Sequence, residues 1–253
     1  MVDLCTLFKS ISWHVWEVLE LGISKGIGVS EESITDGVLI ALAKYGGKNV
    51  VVKKFTRYQE SQNGADMEMW FHFKNRLVGS RIQAKKLNSS SNSYKYIDHK
   101  NGEQLRDLIS SAKLPLIPSY LFYNFWKRNL KKQLPNPDSD YGCAISNAYD
   151  VKPHLKIPDN SLQSMFPIET PFQCLTCDCD CKSLDHAHLS RLDLRKVAKT
   201  LVSREERNMN DYNEYITDNP PDYVRKLLRG EELRPEDRKE LKTSRIAVIG
   251  IES

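Results

Sequence analysis

The sequence predicts an α/β protein in which a mixed central sheet is flanked by helices and followed by a mostly helical, loop-rich extension. Three observations predict it. Apolar residues recur at helical spacing in two segments before residue 45 and again beyond residue 103. Between these, polar and apolar side chains alternate over 66–73 and 77–87, the period of a strand. The chain, with 253 residues and 40% apolar content, is also long enough to bury a real core.

The elements follow in order. Leu4, Leu7, Phe8, Ile11, Val15, Val18 and Leu19 mark a first amphipathic helix, which Gly22 and the Gly26/Gly28 pair end. Ser30 caps a second helix through Glu31, Glu32, Ile34, Val38, Leu42 and Ala43, which stops at Gly46-Gly47. Three valines centre a strand over 49–55. The strands 66–73 and 77–87 are joined by a short hairpin connection at 74–76, and a polar loop follows at 88–93. Leu105, Leu108, Ile109 and Ala112 restore the helical period, and 116–123 is a further β-rich run. The order is αβββαβ, which places a core in residues 1–130.

Residues 131–253 then form an extension packed on that core. Prolines and aspartates punctuate loops at 134–140 and 151–159, and 142–149 suits either a short helix or a strand. A cysteine cluster precedes a helix over 190–202. A polar stretch to Pro221, one charged helix over 222–242 and a last strand over 246–251 complete the chain.

The two alternating strands carry the chemistry. Asp66, Glu68 and His72 share one face while Met67, Met69, Phe71 and Phe73 take the other; Arg81, Gln83 and Lys85 likewise oppose Ile82 and Ala84. The apolar faces pack, which leaves an acid, an amide and a lysine converging across the roughly 4.8 Å between paired strands. Phosphodiester hydrolysis builds negative charge on the phosphate oxygens. It therefore calls for a divalent cation, oxygen ligands to hold it, and a positive group near the attacking water. Magnesium accepts one or two carboxylates plus a carbonyl oxygen.

Asp66, then Gln83-Ala84-Lys85, on an αβββαβ order resembles the PD-(D/E)XK nuclease superfamily, the restriction-endonuclease-like fold, over about residues 30–123. In that superfamily the motif aspartate and the acid two residues before the lysine bind the metal, the lysine positions or activates the water, and an acid on the preceding helix often joins them. The resemblance implies these roles for Asp66, Gln83, Lys85 and Glu32, with Glu31 or Asp36 as substitutes for Glu32. Gln83 departs from the usual acid. It adds no charge, so the metal is expected to bind more weakly unless Glu68 or Glu32 compensates. The longer string Gly64-Ala65-Asp66 with Glu68, Gln83-Ala84-Lys85, Gly102 with Gln104-Leu105, and Leu121-Phe122-Tyr123-Asn124 is similar to a bacterial family of predicted nucleases. The implied activity is Mg2+- or Mn2+-dependent endonucleolytic cleavage of nucleic acid, DNA above all, in antiphage defence. The rival expectation is a nucleic-acid- or partner-binding module that keeps the fold without turnover.

Other features set further expectations. Cys174, Cys177, Cys179 and Cys181, with His186 and His188 following, contain one C-x2-C spacing suited to a structural Zn2+. Lys127, Arg128, Lys131 and Lys132 follow the aromatic run from Tyr120 to Trp126 and suit contacts with a nucleic-acid backbone. His72 could line the cleft. With 37 basic against 33 acidic residues, charge permits a polyanionic partner without requiring one. The first 25 residues lack a basic leader, and no run approaches the ~20 apolar residues of a membrane helix. The expectation is a soluble, cytoplasmic protein with reduced cysteines, able to form a homodimer and open to a regulatory partner or activating ligand.

Overall fold

The computed structural model describes residues 3–55, 64–95, 97, 99–126, 138–156, 160–177, 192–209 and 211–251. Helix α1, Leu4–Lys25, starts at Asp3, whose carboxylate accepts from the Thr6 N–H at 3.0 Å. It runs through Gly22 rather than ending there and stops at Gly26, which sits at φ 66°. Helix α2, Glu31–Tyr45, is capped by Ser30 as expected. Strand β1 is Val50–Lys54, β2 is Met67–Phe73 and β3 is Arg76–Asn88, followed by the two-residue β4, Ser93–Tyr94, and by helix α3, His99–Ser111. Strand β5 is Leu116–Tyr123. Residues 142–149 resolve the helix-or-strand ambiguity by being both, with strand β6, Cys143–Asn147, running into helix α4, Ala148–Lys156. Helix α5, Leu162–Met165, strand β7, Thr170–Pro171, and helix α6, Leu194–Leu201, come next. The single charged helix expected over 222–242 is two, α7 Asp222–Leu228 and α8 Pro235–Leu241, because Gly230 adopts φ 73° and Pro235 opens a new helix. Strand β8 is Arg245–Ile251.

Among the described residues the strands form one mixed sheet in the order β1-β8-β2-β3-β5-β6-β7, with β4 beside β3. β8 lies between β1 and β2, antiparallel to β1 and parallel to β2. Residues 131–253, expected as an extension packed on the 1–130 core, supply β6, β7 and this internal strand. The β3–α3–β5 segment makes a parallel crossover, and β2 with β3 an antiparallel hairpin. Met67, Met69, Phe71, Val78, Ile82 and Ala84 pack beneath α1, α2 and α6. The opposite face packs Trp70, Leu77 and Val248 against α7 and α8, and Leu87, Tyr120 and Phe122 against α3 and α4. No helix among the described residues is long and apolar enough to cross a membrane.

A buried polar ring closes the end of β5. Tyr94 Oη lies 2.7 Å from Asn124 Oδ1 and 2.5 Å from Glu169 Oε1, while Asn124 Nδ2 donates to Glu169 Oε2 at 2.8 Å. One phenolic proton cannot serve two acceptors. The ring closes if Glu169 carries a proton and donates it to Tyr94, and burial pushes the Glu169 carboxyl up to about 7. The folded chain then holds a proton that the unfolded chain releases near 4.5, so this group's contribution to stability is full below pH 4.5 and is lost as pH rises to about 7. At ~1.4 kcal/mol per unit the loss is about 3 kcal/mol. Denaturant titrations of wild type and Glu169→Gln between pH 4.5 and 7.5 should show that slope in the wild type and a flatter one in the variant. Equal slopes would place the titration elsewhere.

Candidate active site

The site is built where β2 begins. Gly64 sits at φ 65°, and a Cβ there would lie 2.2 Å from the Gln104 carbonyl oxygen of α3. Only glycine lets the chain cross that helix so closely before turning into the sheet. Asp66 N–H then bonds the Ile82 carbonyl at 2.9 Å, and the register Met67↔Ile82 sets Asp66 opposite Gln83. Asp66 Oδ2 accepts from Gln83 Nε2 at 2.5 Å and from the Ala84 N–H at 2.7 Å. Gln104 bridges the rest: its Nε2 donates to Gln83 Oε1 at 2.9 Å and its Oε1 accepts from Lys85 Nζ at 2.9 Å. Asp66, Gln83 and Lys85 thus lie on one face of paired strands in a continuous hydrogen-bonded chain, with α3 as its roof.

The helical acid is Glu31. As the first residue of α2 it reaches the end of β3, where its carboxylate accepts from the Lys86 backbone N–H. Lys86 Nζ meanwhile donates to the Val29 carbonyl and holds the entry to α2 in place. Burial raises the Glu31 pKa, the charge of Lys85 opposes the rise, and the charge of Asp66 adds to it. Lys85 shows the complement: burial lowers its pKa while Glu31 and Asp66 hold it up. Two carboxylates and a desolvated lysine therefore sense one another. Tyr120 pairs with Gln83 in register, and its buried hydroxyl finds no hydrogen-bond partner among the described residues. Burial, and then the Asp66 charge, raises its pKa.

Several expected members lie elsewhere. Glu32 is exposed, one position round the helix from Glu31. Asp36 pairs with Lys54 at 2.6 Å and Arg245 at 2.9 Å, securing α2 to β1 and β8. Glu68 is fully buried, and its carboxylate takes Arg81 at 2.5 Å, Trp70 Nε1 at 3.1 Å and Tyr223 Oη at 2.8 Å. Burial raises its pKa against the pull of Arg81. It ties β2 and β3 to α7 and does not compensate for Gln83. His72 lies toward the other end of β2, away from Asp66. Lys127, Arg128, Lys131 and Lys132 fall outside the described residues.

The cysteine expectation is also corrected. Cys177 is disulfide-bonded to Cys5, 172 positions away on α1, and Cys174 is buried beside them. Cys174 is disulfide-bonded as well, so neither member of the C-x2-C spacing carries a thiol for a metal, and the expectation of reduced cysteines does not hold at these positions. Cys179, Cys181, His186 and His188 lie outside the described residues. No group of three or more metal-ligating His, Cys, Asp or Glu side chains occurs among the described residues.

Sequence reasoning missed the roles of Gln104 and Tyr120. Gln104 stands in the string that carried the resemblance, where nothing in the local pattern set it apart from an ordinary helix residue. Tyr120 reads as a core aromatic, and only the register with Gln83 brings its hydroxyl to the site.

A model built for the family described as DUF6615, a family of unknown function, matches residues 4–252. The chain belongs to the DUF6615 family. The DUF6615 match runs from the start of α1 to just past β8, so it takes in both the hairpin that carries Asp66 and the C-terminal strand inserted beside it. No curated protein and no solved structure matches the chain.

Proposed function

We propose that this protein is a divalent-metal-dependent phosphodiester hydrolase of the restriction-endonuclease-like class, acting on nucleic acid and on DNA above all. One observation carries the reading: Asp66, Gln83, Lys85 and Glu31 converge at one end of the β2–β3 hairpin, over the β3–α3–β5 crossover. The donor set suits a hard cation, with the Asp66 and Glu31 carboxylates as charged oxygen ligands; the Gln83 amide oxygen, which accepts from Gln104, and the Ala84 carbonyl, which accepts from Gln83 Nε2, would join them by exchanging those bonds for the cation. The orphaned Tyr120 hydroxyl is the kind of group that a hydrated cation or a phosphate oxygen would satisfy.

When bound, Mg2+ or Mn2+ would oppose the charge that grows on the phosphate oxygens and make an attacking water more acidic. The chain's own residues do the rest. Asp66 and Glu31 would hold the cation. Lys85, fixed by Gln104, would present its ammonium to the water or to a phosphate oxygen. Burial of Lys85 strengthens that interaction by excluding solvent screening. β8 between β1 and β2 departs from a three-stranded meander but leaves this unit intact.

One observation favours a second reading, a nucleic-acid-binding module without turnover: Gln83 turns its Nε2 donor, not its oxygen, toward Asp66. The test is incubation of purified protein with supercoiled plasmid and single-stranded DNA in Mg2+, Mn2+ or EDTA. The hydrolase reading expects cleavage with either metal and none in EDTA. Retarded but uncut DNA under all three conditions would support the binding module and sink the hydrolase.

A further inference from the structure

A second concave site lies toward the opposite end of β2, about 20 Å from Asp66 at ~3.3 Å per strand residue. It is a cavity of about 660 Å3 between the β1–β8–β2 strands and the C-terminal end of α7. That size is within the ~300–1,000 Å3 of small-molecule sites. Lys48, Lys74, Arg225 and Arg229 surround it with His72, and none of the described residues that line it is acidic. The sequence gives no hint of this concentration. The four cations come from the turn before β1, the β2–β3 hairpin and the end of α7, and the chain's overall balance is only +4.

The site is shaped as well as charged. Val51 and Val248 are cross-strand neighbours, and with Leu228 they give an apolar floor. Gly250 stands opposite His72, where a Cβ would come within 3.1 Å of the imidazole Nδ1, so glycine keeps this part of the floor open. The arginines are held from outside the cavity: Arg225 bonds Asp222 and Asn219, and Arg229 meets Glu231 at 2.8 Å. These exposed pairs bias the orientation of the guanidinium groups and offset part of their charge, to which Lys48 and Lys74 add at the rim.

We propose that this cavity binds a nucleotide-sized, phosphate-bearing small molecule, its phosphates on Lys74, Arg225 and Arg229 and its apolar part on the Val51–Val248 floor. The combination of several cations with an apolar floor in a half-open pocket fits such a ligand, whose apolar part uses a floor that a duplex backbone does not need. The site is separate from the Asp66 cluster and stands whether or not that cluster cuts nucleic acid.

The test is a titration with a fluorescent ATP analogue in EDTA, followed by competition with inorganic tripolyphosphate. Wild type should bind saturably and release the analogue to tripolyphosphate. The exposed double variant Lys74→Glu/Arg229→Glu should bind at least tenfold more weakly with an unchanged thermal melt, and Lys74→Ala/Arg229→Ala should show the same direction if the charge reversals disturb folding. Asp66→Asn should bind like wild type. No saturation into the millimolar range, undiminished binding by both double variants, or loss of binding in Asp66→Asn would overturn the proposal. Displacement by duplex DNA but not by tripolyphosphate would also overturn it, in favour of a nucleic-acid contact.

Discussion

Lys85→Met is expected to lower metal-dependent cleavage by at least about 100-fold, the range for removing a positioned group that acts on the transition state. Methionine keeps the length and apolar stem of the side chain, so the buried space between β3 and α3 stays filled. The charge is lost from beside Asp66 and Glu31, and Gln104 Oε1 loses its donor at 2.9 Å. An unpaired amide oxygen costs about 1–3 kcal/mol, so a thermal melt should fall only modestly while turnover falls far more. Wild-type rates in Lys85→Met would remove the lysine from the mechanism. A rate loss matched by an equal loss of folded protein would show a structural role alone.

The largest stability effect is expected at Arg81. Its guanidinium is buried, bonds Glu68 through both Nε and Nη2, and also donates to the Ser111 carbonyl at the end of α3. Arg81→Ala leaves the Glu68 carboxylate buried with only Trp70 and Tyr223 as donors, a change that costs about 3–5 kcal/mol where a buried ion pair is broken from one side. Urea unfolding of the variant should show the loss directly. Glu68→Gln separates this structural role from catalysis, because it removes the charge with little change of shape. Per folded molecule its cleavage rate should equal that of wild type. A stable Glu68→Gln protein without activity would return Glu68 to the active site.

Much of the site was legible because a strand has period two. Once 66–73 and 77–87 were read as a hairpin, Asp66, Gln83 and Lys85 had to share a face, and the observed register agrees. The same periodicity misled at Glu68, which shares that face but stands opposite Arg81 rather than Gln83; a face is local, and a partner is not. The choice between Glu31 and Glu32 turned on which of two adjacent positions faces the sheet at the first turn of α2. A sequence fixes that phase poorly at a helix end. The last strand was legible as a strand, yet its place between β1 and β2 was not, since apolar residues such as Ile246, Val248 and Ile249 fit any buried position. The Cys5–Cys177 link spans 172 positions, and local spacing favoured a nearer pairing. The basic cavity was equally hidden, because its cations are dispersed along the chain and meet only in the fold.

The central claim is that Asp66 anchors a metal-dependent phosphodiesterase centre, and single-turnover cleavage of end-labelled DNA by wild type and Asp66→Asn, purified identically and titrated with Mg2+, tests it most directly. Asparagine keeps the shape of the side chain and removes the charge that would hold the cation. The account predicts product that rises with Mg2+ for the wild type and no product above the EDTA background for the variant, with both proteins equally folded. Equal cleavage by the two proteins, or Mg2+-independent cleavage by the wild type, would contradict it.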